Sequence, residues 1–475
     1  LFPYTTLFRS NYIYVAHDGG IASSPIPSTT PTASSSWYFT ALNNDLHVTL
    51  VNGFSSSATN PDLYLVGGQD IIYTDIYDAS LGVNKHTIYT WENDGGLIDK
   101  FDEDHMVLDN SSYNPYYQTS TDGGSTVSST QQFYEPNATA PFESSGTGIY
   151  GPHQSAGQGF QGRQYYQDPF RPGRIFYGKH LVGIYQLDAN NKFVKKIGTS
   201  DLTTTPGQWS GGWAGNHGMS FSPETPNSMH FIVNGDMPTS GIPGVDVPMV
   251  IKYIGDNLDD CWVGHNMALT TSGQPQWANL TQNLWLNITS QISNCSGCVN
   301  LNTTTQYDVE LLEIETSPWN KDVIYVLAQV PNNPQIKMLR YNGTSWSNYS
   351  TGIPNEESPM WMAMDYGSND AIYIGTQTGN IYYRNANQSS WSSYNDANFP
   401  KLRINQLDIN YQDNTLRAGT YGLGIWKTPL VCPTVSNPVN NSTAIPSTIY
   451  EGIDIVASKN RSEERRVGKE CRSRW

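Results

Sequence analysis

The chain has 475 residues, 26 of them basic and 42 acidic, with a formal net charge of −16 and 12% aromatic residues. That acidity excludes a phosphate-binding surface, which needs a basic patch, so no nucleic-acid partner is expected. The aromatic content excludes a disordered chain, and no apolar run approaches the roughly 18 residues that a membrane helix needs.

The chain opens on LFPYTTLFRS and closes on RSEERRVGKECRSRW. One codon reading of the first ten residues has a reverse complement that translates to RSEERRVGKE, which is 461–470. Such a pair at the two ends of one reading frame resembles a short-read sequencing adapter. Residues 1–10 and 461–475 are therefore set aside as non-native. Without them the basic residues fall to 19 and the acidic ones to 39, a net charge of −20, and the apparent basic tail disappears. On this reading both natural ends are cut, and a signal peptide and a sorting segment are expected beyond them.

Between the ends, short β-branched and aromatic runs recur between Gly, Pro, Asn and Ser clusters, with almost no helical periodicity. This predicts an all-β fold. In chain order the runs are YIYVAHDGG at 12–20, NPDLYLVGG at 60–68, YNPYYQTSTDGG at 113–124, RIFYGKHLVGIY at 174–185 and SPETPNSMHFIVNGD at 222–236. Three more follow at 323–327, 371–384 and 416–426. With Tyr14, Tyr64, Tyr116, Phe176, Phe231, Tyr325, Tyr373 and Arg417 taken as equivalent, the spacing is 44 to 60 residues except for one gap of 94. That gap predicts a further unit near 250–290.

A period of about 45–50 residues holds four short antiparallel strands. Such units stacked radially form a β-propeller. The prediction is a propeller of four-stranded antiparallel blades over 11–430, about seven to nine units, in one large ring or parts of two. Trp277, Trp346 and Trp391, with Trp37 as a fourth, follow the second strand and are read as packing between sheets.

Cys261, Cys295, Cys298 and Cys432 are read as extracellular disulfides of undetermined pairing. A zinc site would want a second close pair. No metal or cofactor is expected. The acidic run Asp99–His105 is the one stretch open to calcium, with a solvated acidic turn as the other reading.

Ser120-Thr-Asp122-Gly-Gly124-Ser-Thr126 resembles the Asp-box S-x-D-x-G-x-T-W of sialidase-like propellers, with Val127 in place of the Trp. Physically the box is a hairpin in which Asp122 accepts backbone N–H groups and Gly124 supplies positive φ. The resemblance implies a structural role on the outer rim.

LVGGQD at 65–70, W-x-N-D-G-G at 91–96, D-x-S-x-x-N-P-Y-Y at 109–117 and the closing LRAGTYGLGIWKTPL resemble exported repeat propellers of Bacteroidetes. These are related to xyloglucanase-type glycosidases and sortilin-type receptors. The pattern departs at Gln69-Asp70. Residues 431–460 resemble the start of a second, short-rung β-domain. The resemblance implies a secreted or cell-surface protein exported by a type IX-like route.

Sialidase chemistry needs three convergent arginines. The natural chain has seven, and Arg163, Arg171 and Arg174 share one expanded loop. With Tyr165 and Tyr166 they are ligand-surface candidates rather than a triad. Xyloglucanase-type hydrolysis needs two carboxylates across a cleft. Asp18 in HDGG and Asp94 in NDGG are the catalytic candidates, although Asp-Gly-Gly is a hairpin turn in its own right. The expected function is a glycan- or protein-binding adhesion module. The alternatives are an endo-acting glycoside hydrolase and a sortilin-like peptide receptor on the same scaffold.

Overall fold

The computed structural model describes residues 12–17, 20–26, 40–41, 49–68, 73–81, 83–89, 95–109, 116–134, 165–179, 183–197, 215–224, 229–234, 249–253, 277–279, 310–330, 333–395 and 399–431. Every regular element among them is a strand. A three-stranded sheet comes first: β1 (Tyr12–His17), β2 (Gly20–Pro25) and β3 (Thr40–Ala41).

Seven blades follow. The first is β4 (Thr49–Ser56), β5 (Leu63–Gly68), β6 (Tyr73–Asp78) and β7 (Val83–Tyr89). The second is β8 (Gly96–Ile98), β9 (Met106–Asp109), β10 (Tyr116–Ser120) and β11 (Gln131–Gln132). The third is β12 (Tyr165–Gln167), β13 (Ile175–Lys179), β14 (Gly183–Leu187) and β15 (Phe193–Ile197). The fourth is β16 (Gly215–Phe221), β17 (Met229–Asn234), β18 (Met249–Tyr253) and β19 (Trp277–Asn279). The fifth is β20 (Glu310–Thr316), β21 (Ile324–Gln329), β22 (Met338–Tyr341) and β23 (Trp346–Asn348). The sixth is β24 (Pro359–Asp365), β25 (Ala371–Thr376), β26 (Ile381–Arg384) and β27 (Ser392–Ser393). The last has three described strands: β28 (Ile404–Asn410), β29 (Thr415–Gly422) and β30 (Gly424–Pro429).

Each blade is an antiparallel meander, and its first strand packs against the neighbouring blades in chain order. The order returns from β28 to β4, so the described sheets close a ring. The protein is a β-propeller. The blades bury both faces on one another. Ile232 and Val250 of the fourth blade share a core with Ile314, Ile324 and Trp346 of the fifth. Leu327 and Met338 of the fifth share one with Met362, Ile374 and Trp391 of the sixth. Burial on both sides explains why β24 and β28 are buried along their whole length instead of alternating.

Two local devices repeat. The first strand of every blade runs into a small polar residue whose side chain accepts the backbone N–H two residues on. These residues are Ser57 (3.1 Å), Asp99 (2.8 Å), Asp168 (2.9 Å), Ser222 (3.1 Å), Ser317 (3.2 Å), Asp365 (2.9 Å) and Asn410 (3.0 Å). All seven are buried, and each turns the chain into the second strand by supplying an acceptor that the turn backbone lacks. Five residues earlier, the first strands of five blades carry a bulge, at Asn52, His217, Leu312, Met360 and Asn405. One extra residue there bends and twists the strand as it enters the ring.

Side chains seal the ring. Along β28, Asn405 Nδ2 donates to Val51 O (2.8 Å) and Gln406 Oε1 accepts from Phe54 N (2.8 Å). Ser56 Oγ donates to Asp408 (2.6 Å), and Asn410 Nδ2 donates to Ser57 O (2.7 Å). The amide-rich β28 thus zips the last blade to β4 at contacts more than 350 residues apart in sequence. Tyr421 and Gly422 at the end of β29 also pair with Leu50 and Thr49.

Three expectations are corrected. Tyr116 lies on the third strand of its blade, and β9 is the counterpart of the other second strands. The 94-residue gap holds no extra unit among the described residues, because β18 and β19 complete the fourth blade and β16 packs directly on β20. The tryptophans mark the fourth strand rather than the end of the second: Trp277 and Trp346 open β19 and β23, and Trp391 precedes β27. Trp37, Cys261, Cys295, Cys298, residues 1–11 and residues 432–475 lie outside the described residues.

Candidate functional site

The two ends of the ring differ. One end carries the turns from first to second and from third to fourth strands. The other carries the connections from second to third strands and from blade to blade.

The Asp-box forms a third-to-fourth-strand turn of the second blade. Asp122 accepts from Thr126 N (2.8 Å) and Thr126 Oγ1 (2.7 Å), and Ser120 Oγ accepts from Gly124 N (2.9 Å). These bonds hold the Asp122 carboxyl below its ordinary value. Gly124 has φ of +83°, and a Cβ there would stand 2.4 Å from Cδ1 of Ile76 on the first blade. The box therefore locks one blade onto the next, with the Ser120, Asp122 and Thr126 side chains engaged in its own hydrogen bonds. Gly124→Ala adds a left-handed residue and a clash, and should cost about 2–4 kcal/mol by urea denaturation. A loss below about 0.5 kcal/mol would contradict that contact.

In the third blade two of the ligand-surface candidates are buried and two are ion-paired. Tyr165 and Tyr166 are only 3% and 1% exposed, and the Tyr165 ring lies 5.2 Å from Tyr177. Arg174 and Arg171 pair with the fully buried Asp168 at 2.7 and 3.1 Å. Arg171 also donates to Ser222 O (2.9 Å) and Pro223 O (3.0 Å) on the fourth blade. Burial raises the Asp168 carboxyl, against the pull of Arg174 and Arg171. Both guanidiniums are spent on clamping two blades together. Arg163 lies outside the described residues.

The acidic run disperses. Asp99 accepts from Phe101 N (2.8 Å) and Gln167 Nε2 (2.5 Å), while Glu103 accepts from Ser57 Oγ (3.0 Å) and Thr59 Oγ1. Among the described residues no three His, Cys, Asp or Glu side chains converge as metal ligands. His105 sits between Asp99 Oδ2 (3.4 Å) and Asn191 Oδ1 (3.0 Å). The hydrogen bond to Asp99 raises its pKa above the ordinary value of 6.5, against desolvation. The stabilisation from this raised value is full below about pH 6.5 and is lost as pH rises through the folded value. His105→Asn should abolish that part of the pH dependence in denaturant titrations between pH 5 and 8.

Asp18 and Asp94 lie outside the described residues. On either side of Asp18, His17 pairs with Gly20 across a hairpin. In sequence, Asp94 and Arg163 stand five residues before the turn residues Asp99 and Asp168. That is the same offset as the bulged residues of the other blades. Among the described residues two buried carboxylates, Asp370 and Glu357, serve the scaffold. Asp370 accepts from Ser317 (2.6 Å) and Tyr325 (2.9 Å), and Glu357 accepts from Thr378 (2.5 Å), Asn380 and Tyr382 (3.2 Å).

Sequence reasoning passed over Arg403. It immediately precedes β28, at the end of the ring where blades connect, and its guanidinium carbon lies 5.8 Å from the Tyr421 ring centroid. Nothing but its charge sets it apart in the sequence, because it belongs to no repeated phrase.

No protein-family model matches the chain, and no curated protein matches it. Among solved structures, hydrazine synthase of Kuenenia stuttgartiensis is similar over 82% of this chain and 98% of its own, at 10% identity and a TM-score of 0.48. A likeness at that identity concerns fold alone.

Proposed function

We propose that this propeller is a recognition module of the cell exterior that binds glycans or proteins through the end of the ring where the blades connect. The observation that carries the reading is the asymmetry of the two ends. At one end the described turns are short and hold their own hydrogen bonds, with 254–276 the one long connection there. From the other leave the long connections 135–164, 198–214, 235–248 and 280–309. Long connections on a rigid scaffold are where binding residues concentrate.

Their composition supports the same reading. These four segments contain one basic residue, Arg163, and are rich in Ser, Thr, Asn and Gly with Trp209, Trp213 and Trp285. Amides and hydroxyls match sugar hydroxyls, and indoles match the apolar face of a sugar ring. The hydrolase alternative depends on Asp18 and Asp94. Export follows from the resemblance to exported propellers and from the disulfide reading of the cysteines.

The test is depletion of the protein from solution by a panel of insoluble plant and bacterial polysaccharides and by immobilised surface proteins. Retention on one polymer class is expected, with no new reducing ends formed. Failure to bind any member would remove the reading. Reducing ends that vanish in Asp18→Asn or Asp94→Asn would favour the hydrolase instead.

A further inference from the structure

We propose that Arg403 anchors a carboxylate group of the ligand at the rim of the ring. The proposal rests on the recognition reading above and adds the chemistry of the ligand. Six arginines lie among the described residues, and five use their guanidiniums in hydrogen bonds. Arg171, Arg174 and Arg417 meet carboxylates. Arg340 donates to Tyr325 OH (3.2 Å), and Arg384 donates to Tyr349 O (3.0 Å) and Gln388 O (3.1 Å). Arg403 differs. Its Nε and Nη2 are buried yet meet no acceptor among the described residues. No described acid lies within ion-pair distance of it, and its one described side-chain neighbour of note is the Tyr421 ring.

A guanidinium taken out of water without an anion is costly, and a charge-assisted hydrogen bond to a carboxylate offsets that cost. Arg403 keeps partial exposure, and Nη1 is the one guanidinium nitrogen not enclosed, so an anion meets it there. Its place fits as well. Tyr421 N donates to Arg403 O (2.8 Å), and Tyr421 pairs with Leu50 at the start of β4. Arg403 therefore stands at the seam of the last and first blades, on the end proposed to meet ligand. A carboxylate there would meet Nη1 and supply the counter-charge for the enclosed Nε and Nη2, with the Tyr421 ring beside the guanidinium.

Two sources share this chemistry: a uronic acid of a glycan and the C-terminal carboxylate of a peptide. Calorimetric titrations use trigalacturonate against neutral trigalactose, and one peptide with a free against an amidated C-terminus. Wild-type protein should prefer one carboxylate form over its neutral counterpart. Arg403→Met should weaken that form by tenfold or more and leave the neutral counterpart unchanged, and the pair that responds names the source. A second readout needs no ligand. If the ligand supplies the counter-charge, Arg403→Met keeps or raises the Tm of the free protein. If a carboxylate of this chain supplies it, Tm falls by several degrees and the proposal is overturned. Equal binding of charged and neutral probes by both proteins would also overturn it, while leaving the recognition reading intact. Binding of none of the four probes, together with retention on a neutral polysaccharide, would do the same. Absence of all binding removes both.

Discussion

Replacing Arg417 with alanine should lower the unfolding free energy by about 3–5 kcal/mol in urea titrations, the largest loss expected from a single side chain here. Arg417 is fully buried. Its Nη2 donates to Pro61 O on the first blade (2.7 Å) and to Asp413 on its own (3.2 Å). The guanidinium carbon lies 4.8 Å from the ring centroid of Tyr64, also on the first blade. One side chain thus joins the last blade to the first through a hydrogen bond and a cation–π contact, and is held on its own blade by an ion pair. Alanine leaves a large void, strips the donor from Pro61 O and removes one of the two cations beside Asp413, the other being Lys427 at 3.3 Å. Arg417→Lys keeps the charge but lacks the fork and the flat face, so it should recover less than half of the loss. A loss under about 1 kcal/mol for alanine would mean that the seam is held by the β28 amides alone.

The same residue shows what was legible in the sequence. Arg417 stands where Tyr325 and Tyr373 stand in their blades, and the spacing of second strands revealed the position before any contact was visible. The period survived because each second strand must bury an aromatic or apolar row against both neighbours. It slipped at Tyr116 because β10 also opens on aromatics, whereas MVLD of β9 has none. The 94-residue gap misled because connection length is free to vary on a closed ring, whereas strand content is not. The bulges were invisible, since one extra residue leaves no trace in a strand buried on both faces. Tyr165 and Tyr166 looked like a polar loop's binding surface because their neighbours in sequence are polar. The neighbours of Tyr165 in space are Tyr177, Phe193 and the rest of an aromatic core, and Tyr166 is buried as well. The candidate site was less legible than the fold. Asp18, Asp94 and Arg163 lie outside the described residues, and Arg403 gained meaning only from the company it lacks.

Acid should destabilise the protein through His230, with the opposite sign to His105. His230 is 1% exposed on β17, and its Nδ1 lies 3.1 Å from Thr316 Oγ1 on the next blade. Burial pushes its pKa down to about 3, helped by the positive charge of Lys252, its cross-strand partner on β18. Asp322 pulls the other way but is paired to Lys252 at 2.6 Å. The folded protein therefore keeps the ring neutral while the unfolded chain takes up a proton below about pH 6.5. The stability tied to neutral His230 is complete above that pH and falls as pH drops, by about 1.4 kcal/mol per unit for one proton. His230→Gln keeps a polar group for Thr316 and cannot take up the proton. Urea titrations at pH 7, 6, 5 and 4 should show wild-type protein losing stability more steeply than the variant by about that slope below pH 6. Parallel lines would show that the fold admits the charge. A steeper variant would place the acid-sensitive group elsewhere, with Asp322 and the buried Asp168 clamp the first to examine.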